Sequence, residues 1–127
     1  VGKCGTRKVN PVYKEGDVST AELMTPACMI LGKNGELIFS DIRLNRIIKF
    51  ADGRVTTLAG NSRIDYDSGN IGGYSEPGYL DGKAKLALFH EPDGIALDRA
   101  GNLFIVDGIN QCIRKLSPDG IVSTFYK

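Results

Sequence analysis

The sequence predicts an all-β fold that consists of two β-propeller blades, each with four antiparallel strands. Three observations support this prediction: one pattern occurs twice along the chain, each copy contains four short β-like runs divided by turns, and no segment keeps a helical period. Repeated units of four antiparallel strands are typical of β-propellers. With 42% hydrophobic and 24% charged residues, the composition is that of a globular chain.

The two copies align at an offset of 66 residues over most of their length. The identical pairs that fix this offset are Pro26 with Pro92, Leu31 with Leu97, Leu37 with Leu103, Asp41 with Asp107, and Ile47 with Ile113. After one inserted residue in the second copy, Val55 matches Val122. A repeat of this length indicates one supersecondary unit per copy, and such a unit cannot bury its apolar face alone.

The strands are assigned in chain order from apolar, partly β-branched runs between turns. The runs lie near residues 27 to 31, 36 to 40, 46 to 50 and 54 to 58 in the first copy, and near 94 to 97, 103 to 106, 112 to 116 and 121 to 125 in the second. Asn, Asp and Gly divide them, as at Asp52-Gly53 and at Gly101. These residue types tolerate the positive φ that tight turns require.

The chain therefore divides into a leader over 1–20 that resembles the end of a preceding blade, a blade over 21–60, a long loop over 61–82, and a blade over 83–127. Because there is no initiator Met, we expect the N-terminus to be a cut or processed end. Two blades are too few for a closed propeller, which takes roughly 4 to 8. We expect further blades from the same longer chain or from homo-oligomerisation, and three copies would give six blades.

The second copy reads ALFHEPDGIALDRAGNLFIVDGINQCIRKLSPDGIVSTFYK over residues 87 to 127, and it resembles the repeat of the NHL-repeat β-propeller family. The first copy departs from that repeat where Cys28 replaces a Gly and Gly32 replaces an Asp. The resemblance implies that the two blades are part of a six-bladed propeller. It does not specify an activity, because propellers of this kind include ligand binders and several enzymes.

The loop over 61–82 is the predicted ligand-binding segment. Its glycines and Pro77 prevent regular structure, and long loops on a rigid scaffold are where binding residues concentrate. The candidate ligand-binding residues are Arg63, Asp65, Tyr66, Asp67, Tyr74 and Tyr79.

The same loop contains a weak calcium pattern. Asp65, Asp67 and Glu76 stand at positions 1, 3 and 12 of a twelve-residue window, as in an EF-hand loop. However, Asn70 replaces the glycine that this loop needs, and no helices flank it. We therefore expect a Gly-rich surface loop and no cofactor, with Ca²⁺ as the weaker alternative.

The charge balance disfavours nucleic acid and an anionic membrane as partners. Sixteen basic and fifteen acidic residues leave a net charge of +1, and no membrane span is visible. RNA binding through a local basic patch stays a second alternative, since phosphate contacts supply such affinity. The basic residues considered for this patch are Arg43, Arg46, Lys49, Arg63, Arg114 and Lys115, which we expect on the solvated edges of the blades.

The three cysteines show no C-x-x-C spacing, which argues against a structural zinc site. Cys28 and Cys112 lie within predicted strands, where we expect them to pack as small hydrophobic residues. Cys4 lies in the leader and could pair with another cysteine or another chain. The compartment stays open, with an extracytoplasmic or secreted location favoured.

No catalytic residue is predicted. The single histidine, His90, precedes an inner strand, and we expect it to be a surface loop residue. Asp41 and Asp107 recur at the end of equivalent strands, which favours a structural role in each copy: their carboxylates can accept hydrogen bonds from the following turn. The sequence thus predicts a non-enzymatic module that binds a protein or other ligand through face loops. The alternative is a fragment or subunit of a propeller hydrolase or lyase with a metal site in the central channel.

Overall fold

A computed structural model describes residues 15–61 and 77–127 of the chain. These residues form ten β-strands and no α-helix. The first five strands are β1 (Gly16–Asp17), β2 (Pro26–Leu31), β3 (Leu37–Asp41), β4 (Arg46–Ala51) and β5 (Arg54–Ala59). The second five are β6 (Gly82–Lys83), β7 (Pro92–Leu97), β8 (Leu103–Asp107), β9 (Cys112–Leu116) and β10 (Ile121–Tyr126). No helix within these residues is long and apolar enough to cross a membrane.

The strands form two antiparallel sheets of the same topology, which are the two predicted propeller blades. Blade 1 has the strand order β1-β5-β4-β3-β2, and blade 2 has the order β6-β10-β9-β8-β7. The four long strands of each blade match the sequence prediction, and equivalent strands keep the offset of the repeat. The predicted number of four strands per blade is nevertheless one fewer than the observed five. The additional strand has two residues and pairs with the outer strand of each sheet. A strand this short carries no alternating pattern, so the sequence does not reveal it.

Positive φ angles occur at the predicted turns. Asp52 and Gly53, with φ of 51° and 71°, connect β4 to β5 as the two central residues of a tight hairpin. Gly101 has a φ of 89°, which agrees with the expectation of a positive φ at the turn that contains it. The turns therefore follow from local sequence.

The core lies mainly between the two blades. One cluster of buried residues draws on both sheets, with Ile38, Ile47 and Ala59 from blade 1 and Ile95, Ile105, Val122 and others from blade 2. We call the side of each sheet that carries Ile38 in blade 1 and Phe104 in blade 2 the trailing face. The other side, which carries Phe39 in blade 1 and Ile105 in blade 2, is the leading face. The trailing face of blade 1 thus packs on the leading face of blade 2. A second cluster on the leading face of blade 1 contains Phe39, Leu44 and Ile48, among others.

Two of the cysteines lie in the described part of the chain, and both are free thiols. Cys112 is buried, and Cys28 is half-buried against the inter-blade cluster. Their predicted role as small packed hydrophobic residues is therefore confirmed. Cys4 lies outside the described residues.

Candidate binding surface at the connector face

Four chain segments meet at one end of the blades: the β3–β4 turn, the β8–β9 turn, the start of β7, and the segment that precedes β6. We call this surface the connector face and define it as residues 42–45, 77–79, 89–93 and 108–111. The turns at 32–36, 52–53, 98–102 and 117–120 form the opposite face. Residues 77–79 of the predicted binding loop lie on the connector face, where Gly78 N donates a hydrogen bond to the Phe89 carbonyl.

Hydrogen bonds join these segments to one another. Asn110 Nδ2 donates to the Gly78 carbonyl at 2.8 Å. Ile109 N and Gly108 N donate to the carbonyls of His90 and Glu91 at 3.1 and 3.3 Å. Because each bond links residues that are distant in sequence, the connector face behaves as one surface and not as independent loops.

The buried side chain of Arg114 supports the connector face through hydrogen bonds. The side chain is fully buried, and its guanidinium donates to Asp107 Oδ2 at 2.7 Å and to Asp81 Oδ1 at 2.7 and 3.1 Å. It also donates to the carbonyls of Leu88 and Leu80, at 2.9 and 2.8 Å. The planar, five-donor guanidinium suits such a site, since it can satisfy several acceptors at once. These bonds tie the segment around β6 to β8 and β9.

The predicted solvation of basic residues is wrong for two of them. Arg114 and Arg46 are buried, with exposed fractions of 0 and 1%. A guanidinium is stable in the interior only where acceptors are supplied, and Arg114 has five hydrogen bonds to carboxylate and carbonyl oxygens. These acceptors come from distant parts of the chain, which is why spacing along a single strand did not indicate the burial.

Tyr79 is the one predicted ligand-binding residue within the described part of the chain. Its ring covers the Arg114 guanidinium, with 4.8 Å from the ring centroid to Cζ, and its hydroxyl lies 2.5 Å from Thr124 Oγ1. Lys127 Nζ lies 4.4 Å from the same ring centroid. These contacts fix the ring, while 43% of the residue stays exposed at the rim of the connector face.

The other candidates lie outside the described residues: Arg63, Asp65, Tyr66, Asp67, Tyr74 and, for the weak calcium pattern, Glu76. They stay predictions. Within residues 15–61 and 77–127, no group of three or more His, Cys, Asp or Glu side chains is arranged to hold a metal ion.

The two repeated aspartates have the structural role that the sequence predicts. Asp41 accepts hydrogen bonds from the backbone N–H groups of Met24, Thr25 and Leu44 at 2.9, 2.9 and 3.2 Å. Burial raises the pKa of Asp41 above its ordinary value of 3.8, and these backbone bonds offset the effect only in part. Asp107 accepts from His90 N at 2.7 Å. The backbone of His90 thus serves the turn, and its side chain is half-buried.

One link between the blades was not foreseen from sequence. Asn45 Oδ1 accepts a hydrogen bond from Glu91 N at 2.8 Å, and this bond joins the β3–β4 turn of blade 1 to the start of β7. Glu91 has a φ of 56°, a left-handed conformation that a residue other than glycine seldom adopts. No local signal marks Glu91 for this geometry. The bond holds the two halves of the connector face in register.

The exposed groups of the connector face are mixed in chemistry. Glu91, Asp93 and Gln111 are exposed and polar, and Ile109 is 53% exposed and apolar. Ile109 thus offers an apolar contact next to groups that can form hydrogen bonds, and ligand sites combine these two kinds of group.

Comparisons with known proteins agree on fold. A structure from Bacteroides ovatus named an auxiliary nutrient binding protein matches with a TM-score of 0.67 and 27% identity, over 95% of this chain and 28% of that one. A Bacteroides thetaiotaomicron protein of unknown function matches with a TM-score of 0.64 and 30% identity, over 83% of this chain and 25% of that one.

Among curated proteins, the chain is similar to SUPPRESSOR OF QUENCHING 1 of Arabidopsis thaliana, with 31% identity over 94 residues. The match covers 72% of this chain and 8% of that chloroplastic protein. No family model matches the chain. The chain spans less than a third of the length of the Arabidopsis protein and of each of the two Bacteroides proteins.

Proposed function

We propose that the chain is part of a non-enzymatic β-propeller module of the NHL-repeat type, which binds a protein or other ligand through loops of the connector face. One observation carries the proposal: four distant segments are hydrogen-bonded into a single surface that exposes Ile109 among polar groups. Preorganisation of this kind lowers the entropic cost of binding. Further blades, from the same longer chain or from other copies, would extend the surface around a ring.

The favoured ligand is a small nutrient molecule. The Bacteroides ovatus neighbour is named an auxiliary nutrient binding protein, and its match covers 95% of this chain. The loop after Asn61 re-enters the described part of the chain at the connector face, where Asn110 holds the Gly78 carbonyl. Arg63, Tyr66 and Tyr74 of that loop remain predicted ligand-binding residues under this proposal.

The test is isothermal titration calorimetry of the chain against mono- and oligosaccharides and against di- and tripeptides. The informative variants are Ile109→Asp on the connector face and Ile121→Asp near the opposite face. The two isoleucines are matched in type and are 53 and 41% exposed, so both substitutions should leave the fold intact.

For a ligand detected in this screen, Ile109→Asp should weaken binding by about tenfold or more, equivalent to about 1.4 kcal/mol. Ile121→Asp should leave the affinity unchanged. Equal losses in the two variants would contradict binding at the connector face. Mass spectrometry of the ligand after incubation should return it unaltered, and conversion to a product would contradict a non-enzymatic role.

A further inference from the structure

The asparagine side chains of the two blades differ in how firmly they are held. Asn102 Nδ2 donates to a carboxylate and Asn110 Nδ2 donates to a backbone carbonyl, each at 2.8 Å. Asn45 Oδ1 accepts from a backbone N–H. Asn34 is exposed, and its side-chain amide has no hydrogen-bond partner in the part of the chain that the structure describes. The Asn34 carboxamide therefore rotates freely in solvent.

Asn34 also differs in the residue that follows it, because it is the only asparagine in the sequence that precedes a glycine. Gly35 has a φ of 80°, and beyond its chain neighbours no atom lies within 4 Å of the position that a Cβ would take. Its backbone N donates to the Gly32 carbonyl at 3.2 Å, the long end of the range for such a bond. Water can replace this bond, since residues 33–35 are exposed. The Gly35 nitrogen is therefore open to the Asn34 side chain.

We infer that Asn34 is a site of spontaneous deamidation. The backbone nitrogen of Gly35 attacks Asn34 Cγ and loses its proton to water. The new N–Cγ bond closes a cyclic succinimide, while the Cγ–Nδ2 bond breaks and releases ammonia. Water then opens the ring at either carbonyl, which gives aspartate or isoaspartate, and no other reactant is needed. This inference is independent of the ligand proposed above, and its failure would leave the calorimetric test unaffected.

The modification places a carboxylate between two charged side chains of the β2–β3 turn. Lys33 Nζ donates to the Arg99 carbonyl of blade 2, and Glu36 Oε2 accepts from Asn34 N at 2.8 Å. The new carboxylate repels Glu36 and competes for the Lys33 ammonium group. The isoaspartate product also lengthens the backbone of the turn by one methylene group. Deamidation therefore weakens a contact between the blades, and its effect reaches blade 2.

Peptide mapping by mass spectrometry measures the reaction in the folded chain during incubation at mildly alkaline pH. Asn102 is the internal reference, because its Nδ2 is bound to the Asp98 carboxylate and Leu103 follows it in place of a glycine. Since a hydrogen bond to a charged group contributes more than about 1.4 kcal/mol, deamidation at Asn34 should be at least about tenfold faster than at Asn102. A rate at Asn34 no greater than that at Asn102 would overturn the inference.

Two variants exchange the equivalent residues of the two blades and test the mechanism. Asn34→Ala gives blade 1 the residue that blade 2 carries at this position, and it should abolish deamidation in the β2–β3 turn. Ala100→Asn creates the same dipeptide in blade 2, where Gly101 has a φ of 89°, close to that of Gly35. This variant should gain a second site of deamidation at position 100. An unmodified position 100 after the same incubation would contradict the mechanism.

Amide chemical shifts test the effect on blade 2. Asn34→Asp reproduces the aspartate product, and Asn34→Ala is the uncharged control. Because Lys33 Nζ lies beside Gly101 and bonds to the Arg99 carbonyl, Asn34→Asp should shift the amide signals of residues 99–101, whereas the control should leave them unchanged. Equal spectra of the two variants at residues 99–101 would overturn the coupling between the blades.

Discussion

The two blades hold an aspartate at the same position by different means. In blade 2, Asp107 is paired with the buried Arg114 and also accepts a hydrogen bond from Asn110 Nδ2 at 2.9 Å. In blade 1, Ile48 and Leu44 stand at the positions of Arg114 and Asn110, and both are fully buried and apolar. The Asp41 carboxylate is instead held by backbone N–H groups.

The difference shows that the aspartate serves the turn, while its neighbours decide what else the blade can do. In blade 1, the side chains of Leu44 and Ile48 beside the aspartate contribute by apolar packing. In blade 2, Arg114 extends the network to Asp81 and to the Leu80 and Leu88 carbonyls, which places the segment beside the connector face. Blade 2 therefore carries the polar scaffold of the candidate binding surface.

The largest expected loss of stability is from Arg114→Met. Removing one partner of a buried ion pair leaves Asp107 uncompensated, and this typically costs about 3 to 5 kcal/mol. The matched change in blade 1, Ile48→Met, is nearly volume-conserving and should cost less than about 1.5 kcal/mol. Urea denaturation of both variants gives the two free energies of unfolding. A cost for Arg114→Met no larger than that for Ile48→Met would contradict the contrast between the blades.

A second pair of variants compares Leu44 of blade 1 with its equivalent in blade 2, Asn110. Leu44→Ala should cost about 2 to 5 kcal/mol because it opens a cavity in a packed cluster. Asn110→Ala removes hydrogen bonds to Asp107 and to the Gly78 carbonyl, and it should cost about 1 to 3 kcal/mol. The same denaturation experiment ranks them. If Asn110→Ala proved the more destabilising, the polar network would contribute more to stability than the apolar cluster.

The smallest expected effects are on the pH dependence of stability, and Asp81 and Asp41 act in opposite directions. Burial alone would raise the pKa of Asp81, but hydrogen bonds from Arg114 and Thr124 outweigh it and hold the pKa below 3.8. Asp81 therefore contributes stability above that value, which is lost as the pH falls through its folded-state pKa. The pKa of Asp41 is raised, so the folded state binds its proton more readily. Stability from Asp41 is thus fully present below pH 3.8 and is lost as the pH rises through its folded-state pKa.

Thermal unfolding of Asp41→Asn and Asp81→Asn between neutral pH and about pH 3 measures these effects, a range that spans the ordinary aspartate pKa. The destabilisation caused by Asp41→Asn should grow as the pH falls, and that caused by Asp81→Asn should shrink. Parallel pH profiles for the two variants would show that the two carboxylates do not differ in environment.

The repeat made most of the fold predictable from sequence. The alternating runs and the Asn, Asp and Gly turns located all eight long strands, and the recurrence of Asp41 and Asp107 indicated their structural role. The burial of Arg114 was not predictable, because Asp81 lies 33 residues away and two acceptors are backbone carbonyls with no sequence signal. The left-handed conformation of Glu91 was missed as well, since its observed hydrogen-bond partner, Asn45, lies in the other blade.

The central claim is that the connector face binds the ligand, and amide chemical shifts test it most directly. The ¹⁵N-labelled chain would be titrated with the tightest binder found among the saccharides and small peptides. We expect shift changes at 42–45, 77–79, 89–93 and 108–111, and none at the opposite face over 32–36, 52–53, 98–102 and 117–120. Changes concentrated at the opposite face, with the connector face unaffected, would contradict the account.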